Sequence, residues 1–194
     1  MGDSPLKLGI LASGSGSNFE AIAEAIENQQ LNAQIQVVIY NNPDAKVVLR
    51  AQKFGVPAVL LNHRNYSREE LDAEIVKTFR ESNVDWVIMA GWMRIVTPVL
   101  LDAFPEKVIN IHPSLLPSFP GIRAIEQALK AGVKITGCTV HIAHLEVDSG
   151  PILMQAAVPI LAGDTAETLH ARIQVQEHKI VVGAIALLAA RSAK

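Results

Sequence analysis

Leu6-Lys7-Leu8-Gly9-Ile10-Leu11-Ala12-Ser13-Gly14-Ser15-Gly16-Ser17-Asn18-Phe19 is the stretch that decides the fold. Leu6–Leu11 is a short apolar run that reads as a buried strand, and Ser13–Ser17 is a glycine-rich turn. From Asn18 to about Gln29, Phe19, Ile22, Ala23 and Ile26 recur at helical spacing. A strand, a glycine turn and a helix in that order can turn backbone N–H groups and a helix N-terminus toward an anion. The same stretch equally fits a plain strand-to-helix turn capped by serine and asparagine. A dinucleotide fingerprint would want a third glycine at position 19, where Phe19 stands, and an acidic residue after the second strand, where Asn41 and Asn42 stand. A nicotinamide cofactor is therefore disfavoured and a smaller phosphate ester preferred.

Working outward, Ile35–Tyr40 reads as the second strand, followed by a helix ending near Gly55 and a strand at Val56–Leu61. Ser67 and Glu70 have capping-box spacing and start a helix that runs to about Ser82. Trp86–Ala90 and Lys107–Ile111 are further strands, and this alternation predicts a parallel sheet with helices on both faces. After Ile111 the pattern changes to a loop punctuated by Pro113, Pro117 and Pro120 and a short helix at Ala124–Ala131. Lys134–Ile142 and Pro151–Pro159 read as a hairpin, and Asp164 with Glu167 as the capping box of a last helix reaching Ala190. The expected fold is α/β: an open, mostly parallel, Rossmann-like twisted sheet with a C-terminal hairpin addition. A single domain over 1–194 is expected, with an N-terminal half at about 6–105 and a C-terminal half at about 106–190.

Composition bounds the function. The 194 residues are 49% hydrophobic and 19% charged, which excludes disorder. Lysine plus arginine is 17 against 19 acidic residues, a net charge of −2, so bulk charge recruits neither nucleic acid nor an anionic membrane. The longest apolar run, Ile180 to Ala190, is 11 residues, short of the ~20 that span a bilayer. Cys138 is the one cysteine, so no internal disulfide forms. The start, Met1-Gly2-Asp3-Ser4-Pro5-Leu6, carries neither a signal-peptide nor a myristoylation pattern. A soluble, cytoplasmic chain is expected.

Asn110 and His112 lie two apart at the end of a strand, so their side chains share a side, and ligands in open α/β sheets bind at such strand ends. A histidine beside an amide joins a proton carrier to a fixed donor, a pair suited to an oxyanion formed at a carbonyl. A structural hydrogen-bonding histidine fits the same sequence. Asp148, in Asp148-Ser149-Gly150-Pro151, can orient such a histidine or simply occupy a turn.

Ser13-Gly14-Ser15-Gly16-Ser17-Asn18, Asn110-Ile111-His112-Pro113-Ser114-Leu115-Leu116-Pro117, Gly137-Cys138-Thr139-Val140-His141 and Asp148-Ser149-Gly150-Pro151 occur in that order. Together they resemble the glycinamide ribonucleotide transformylases, folate-dependent formyltransferases of purine biosynthesis, over Leu8 to about Gly183. The resemblance implies that a glycinamide amine attacks the formyl carbon of 10-formyltetrahydrofolate. In that scheme Asn110 and a protonated His112 stabilise the oxyanion, and Asp148 keeps His112 charged. Gly16, Ser17 and Asn18 hold the ribonucleotide phosphate, with Gln174, Val175, Gln176 and Glu177 on the same substrate, Glu177 at the ribose hydroxyls. The folate lies against Met93, Arg94, Ile95 and Val96 and against His144, Leu145, Glu146, Val147 and Asp148, with Arg68 near its glutamate tail. The folate is a consumed cosubstrate, and no metal or tightly bound cofactor is implied. The partners are small molecules, and the chain is a monomer or a homodimer.

Met93, Ile95 and Val96 also read as core, Arg68 as a solvated helix-start charge, and Glu177 as part of a polar helix face. Two positions depart from the family pattern. Arg123 stands where a histidine is frequent, and His144 where none is expected. His144, Glu146 and Asp148 would share a face of an extended segment, as in a metal site. A formyltetrahydrofolate hydrolase would be expected to carry a further N-terminal domain, and a methionyl-tRNA formyltransferase a further C-terminal one. A non-catalytic nucleotide-binding module and a metal-dependent hydrolase using His141, His144 and Asp148 complete the alternatives.

Overall fold

The computed structural model describes residues 4–192; Met1–Asp3, the start of the stretch read for targeting signals, lie outside them. In chain order the elements are β1 (Leu6–Ala12), α1 (Ser17–Glu27), β2 (Ala33–Tyr40), α2 (Val47–Lys53), β3 (Ala58–Leu60), α3 (Arg68–Glu81), β4 (Trp86–Met89), α4 (Pro98–Ala103), β5 (Val108–His112), α5 (Ala124–Ala131), β6 (Ile135–Ile142), β7 (Ile152–Pro159) and α6 (Ala166–Ser192). The strands form one sheet in the order β3-β2-β1-β4-β5-β6-β7. β3 through β5 are parallel, and β6 and β7 continue the sheet antiparallel. The open, mostly parallel sheet with a hairpin addition is therefore the fold.

Topology positions the site. From β1 the chain moves outward to β2 and β3, then returns to lay β4 on the other side of β1. That reversal opens a crevice beyond the carboxyl ends of β1 and β4, the place where open α/β sheets bind ligands. Here Ser13 N–H donates to Gly91 O at 3.1 Å, joining the loops that leave the two strands.

The apolar residues of β1, β2, β4 and β5 are largely buried because both sheet faces are covered. One face packs α1, α5 and α6 around Leu8, Ile10, Phe19, Ile22, Ile109, Val140, Leu169, Ile173 and Ile185. The other packs α3 and α4 around Leu11, Ile39, Ile75, Phe79, Leu100 and Phe104, with Phe79 and Phe104 edge to face at 6.1 Å. Gly9 lets α3 settle on β1, since a Cβ there would lie 2.7 Å from the Phe79 ring.

Four local readings change. β3 is shorter than Val56–Leu61 because Val56 N–H closes the end of α2 on Ala51 O at 2.9 Å. Helix α4 lies between β4 and β5, where the sequence reading assigns no element; Thr97 caps it through Val99 N–H, and Pro98 opens it with a preset φ. The last helix is capped by Thr165 and Thr168, which exchange backbone-to-hydroxyl bonds at 2.9 and 3.3 Å, not by Asp164 and Glu167. Asp164 instead takes a two-pronged hydrogen bond from Arg172 at 2.8 and 2.9 Å. Finally, α6 is long and apolar enough to cross a membrane by length and composition alone, beyond the 11-residue run. Its buried face packs on α1, β6 and β7. The Ser67–Glu70 capping box of α3 is present as read.

Candidate active site

The glycine loop is built for close approach. Gly16 sits at φ 75° immediately before α1, and a Cβ there would come 2.5 Å from Val47 Cγ2. α2 closes over the loop: Val47 N–H donates to Gly14 O at 3.2 Å and Arg50 Nε–H to Ser15 O at 2.8 Å, while Arg50 pairs with Glu20. With Gly16 left-handed and α1 beginning at Ser17, the free N–H groups of the first helical turn lie at the crevice.

Side chains 157 and 159 residues downstream join this loop. Gln174 Nε2 donates to Ser17 Oγ at 3.2 Å, and Asn18 Nδ2 donates to Glu177 Oε2 at 3.3 Å. Gln174 and Glu177 are three apart, one turn of α6, and share the face that meets α1. Glu177 is 5% exposed; burial raises its carboxyl above the usual range against the hydrogen bond from Asn18 and the charge of His170. Asn18 Oδ1 is buried with no partner within the chain. Gln174 and Glu177 thus meet Gly16–Asn18 as expected, whereas Val175 is exposed on the same helix.

Two strands away, Asn110 and His112 at the end of β5 both reach Asp148. His112 Nδ1 is 3.2 Å from Asp148 Oδ2, and Asn110 Nδ2 donates to Asp148 Oδ1 at 3.4 Å. His112 Nε2 faces Phe119 O at 2.9 Å. A carboxylate and a carbonyl only accept, so both contacts are satisfied together when each ring nitrogen carries a proton. Asp148 is held in the left-handed region at φ 57°, and Gly121 N–H donates to its Oδ2 at 2.8 Å. Burial opposes charge on this carboxyl. The hydrogen bonds from His141 and Gly121, with the nearby imidazoles, outweigh it and hold Asp148 below the usual carboxylate range.

His141 also belongs to this cluster; the sequence joins it to Asp148 only in the metal-dependent hydrolase alternative, not in the formyl-transfer site. It is buried, 3.3 Å from Asn110 Nδ2 and 3.5 Å from Asp148 Oδ1, with Nδ1 donating to Ile142 O at 2.9 Å. The antiparallel register pairs Asn110 directly with His141, so the signal was the strand pairing. The loop carrying Phe119 and Gly121 is fixed from below. Thr139 Oγ1–H donates to Ser114 O at 2.7 Å, and Leu116 N–H donates to Thr139 Oγ1 at 3.1 Å.

A cleft of about 350 Å³ opens beside Asp148, lined by Leu116, Pro117, Pro120, Glu146, Val147 and Ile152 among others. Leu145 and Val147 are exposed apolar side chains at this side, and Met93 and Ile95 are exposed on the loop after β4. Val96, read as lining the same surface, is instead buried in the α3–α4 core. Arg68 is exposed at the first turn of α3. His144 does not share a face with Asp148; it pairs with Glu106 at 3.3 Å. The trio His141, His144 and Asp148 is therefore not assembled, and among the described residues no His/Cys/Asp/Glu group is placed to hold a metal ion. Cys138 is buried, and burial followed by the Glu177 charge pushes its thiol up to about 12, so it is no nucleophile.

The sequence profile of the family described as Formyl transferase matches residues 6–185. A phosphoribosylglycinamide formyltransferase of Bacillus subtilis is 41% identical over 89% of this chain and 89% of its own length. The trifunctional purine biosynthetic protein adenosine-3 of Homo sapiens is 42% identical over 94% of this chain, which spans 18% of that protein. A crystal structure of glycinamide ribonucleotide transformylase 1 from Symbiobacterium toebii superposes with a TM-score of 0.95 at 44% identity, covering 97% of this chain and 89% of that one. Profile, relatives and fold agree, and the chain belongs to the formyl transferase family.

Proposed function

We propose that the chain transfers the formyl group of 10-formyltetrahydrofolate to the amine of 5′-phosphoribosylglycinamide, giving the N-formyl product and tetrahydrofolate. The observation that carries this reading is the convergence of Asn110, His112 and Asp148 at the end of β5, two strands from a glycine loop open to a phosphate. The phosphate meets the N–H groups of Gly16–Asn18, and Glu177 and Gln174 take the sugar side of the same substrate. The folate lies along Met93–Ile95 and the His144–Asp148 loop, its ring in the cleft beside Asp148 and its glutamate tail toward Arg68.

As the amine nitrogen bonds to the formyl carbon, the carbonyl π electrons move onto oxygen, and Asn110 and a protonated His112 stabilise that charge. His112 Nε2–H exchanges Phe119 O for the oxyanion, while Asp148 holds Nδ1 and balances the ring's charge. The attacking amine loses a proton and the departing folate nitrogen gains one, relayed by His112 or an ordered water as the carbon–nitrogen bond breaks. No metal takes part in this scheme.

A formyl-transfer assay with and without the ribonucleotide tests it. Donor consumption only when the ribonucleotide is present, with formylated product, supports transfer. Equal consumption without it, with formate released, makes the chain a hydrolase. No turnover by folded protein reduces the glycine loop to a binding module.

A further inference from the structure

The segment 91–97 leaves β4 beside the glycine loop and is held at both ends. At its start Ser13 N–H donates to Gly91 O at 3.1 Å, and Met93 N–H donates to Ser13 Oγ at 2.9 Å. At its far end Thr97 N–H donates to Asp72 Oδ2 at 2.6 Å. Between the two, Trp92 and Val96 turn into the α3–α4 core, while Met93 and Ile95 are 75% and 54% exposed. A segment tethered at each end that offers two large apolar side chains to solvent is a fixed surface, not a slack loop.

Asp72 is a costly choice for its place. It is 2% exposed, and its neighbours on α3 are Leu71 and Ile75 of the core. Burial, the largest influence, raises its carboxyl above the usual range; the Thr97 hydrogen bonds oppose this and the nearby Glu69 adds to it. An apolar side chain here would avoid that burial cost but would leave the Thr97 N–H unpaired. What a carboxylate adds is a fixed position for Thr97, the cap from which α4 starts, and so for the backbone just ahead of it. Arg68 stands one turn earlier on the same helix.

We propose that Asp72 is a positioning residue for the folate substrate. By fixing Thr97 it sets where Met93 and Ile95 stand, and it governs affinity for the folate without touching the phosphoribosyl side. This rests on the formyl-transfer reading above.

The test uses the full chain with Asp72→Ala and Asp72→Asn, measuring formyl transfer while each substrate is varied. Asp72→Ala leaves Thr97 N–H buried without an acceptor, and KM for 10-formyltetrahydrofolate rises about tenfold. KM for the ribonucleotide and kcat stay within about twofold. Asp72→Asn, whose amide oxygen accepts the same bond, restores the folate KM. In the wild-type chain, tetrahydrofolate slows amide hydrogen exchange across 92–97, and phosphoribosylglycinamide alone does not; this measurement stands even if Asp72→Ala fails to fold. An equal rise in both KM values, an unchanged folate KM in folded Asp72→Ala, or no folate-specific slowing of exchange overturns the positioning role and leaves formyl transfer standing. A wild-type chain that transfers no formyl group removes both.

Discussion

Asp148→Asn probes the site at nearly constant shape, because the two side chains differ in charge and in donor character rather than size. Four nitrogens surround the carboxylate: Gly121 N and His112 Nδ1 at Oδ2, and Asn110 Nδ2 and His141 Nε2 at Oδ1, from 2.8 to 3.5 Å. An asparagine brings one oxygen, so its amino group must face one of these pairs, and at least one charge-assisted bond is lost either way. Such a bond contributes about 1.5–3 kcal/mol, which at ~1.4 kcal/mol per tenfold lowers kcat roughly 10- to 100-fold. His112 also loses its counter-charge, so the expected fall is about 10²–10³, the size of removing an oxyanion donor. The effect on stability has a fixed sign. Asp148 is depressed in the fold, so its contribution is present above the ordinary carboxylate value of 3.8 and is lost as pH falls through the lower folded value. The variant lacks that contribution at neutral pH, and its Tm approaches the wild type's in acid. Steady-state formyl transfer at neutral pH, run beside thermal unfolding, reads both. A variant that unfolds cooperatively and keeps kcat within about threefold of wild type refutes the assigned role of Asp148.

His112→Ala removes the proposed proton carrier while Asp148 keeps the Gly121 and Asn110 contacts; kcat falls about 10²–10³ with cooperative unfolding intact, checked by turnover and circular dichroism. Gly16→Ala forces a left-handed alanine against Val47 and costs about 1–2 kcal/mol from backbone alone, a Tm loss of roughly 2–8 °C. Its KM for the ribonucleotide rises more than that for the folate. Arg172→Ala frees Asp164, whose carboxyl is held far below the usual range first by the Arg172 hydrogen bonds. A depressed acid stabilises above its ordinary value and loses this as pH falls, so the variant's acid-unfolding midpoint moves to higher pH. A chelator leaves turnover unchanged, since His144 is turned to Glu106 and away from the pair formed by His141 and Asp148.

What the sequence made legible was local pattern. The strand–helix alternation, the Ser67–Glu70 box and the two-residue spacing of Asn110 and His112 each rest on geometry within a few residues. Long-range partners decided the rest. Asp164 has the right spacing to cap α6 with Glu167, yet Arg172 and Leu161 N–H claim its carboxylate and Thr165 becomes the cap. The resemblance puts Val96 with Met93 and Ile95 on a lining surface, while its apolar character equally suits a core; the packing of α3 and α4 puts Val96 in the core and leaves Met93 and Ile95 exposed. Helix α4 was readable, because Thr97-Pro98 is a cap followed by a first-turn proline; it was hidden by being short and next to a segment already read as a binding loop. His141 needed the register of β5 against β6, which no spacing along one strand specifies.

The order of strands also constrains the substrate. The glycine loop leaves β1 and the Asn110–His112 pair ends β5, with β4 between them. Two steps across a sheet are about 9–10 Å, so a ligand whose phosphate meets Gly16–Asn18 must carry its reacting atom roughly that far to reach Asn110 and His112. A phosphorylated sugar with a short amide arm has that reach, whereas inorganic phosphate or free glycinamide fills only one end. On the proposed reading α6 strengthens the requirement: Gln174 and Glu177 close on Ser17 and Asn18, and the middle of the same ligand would meet side chains able to bond its hydroxyl groups. On that reading phosphate, polyol and amine are tested at three places: the glycine loop, α6 and the end of β5. On this reading the enzyme's selectivity is set by a distance the fold fixes, and the side chains at its two ends supply the charge and the chemistry.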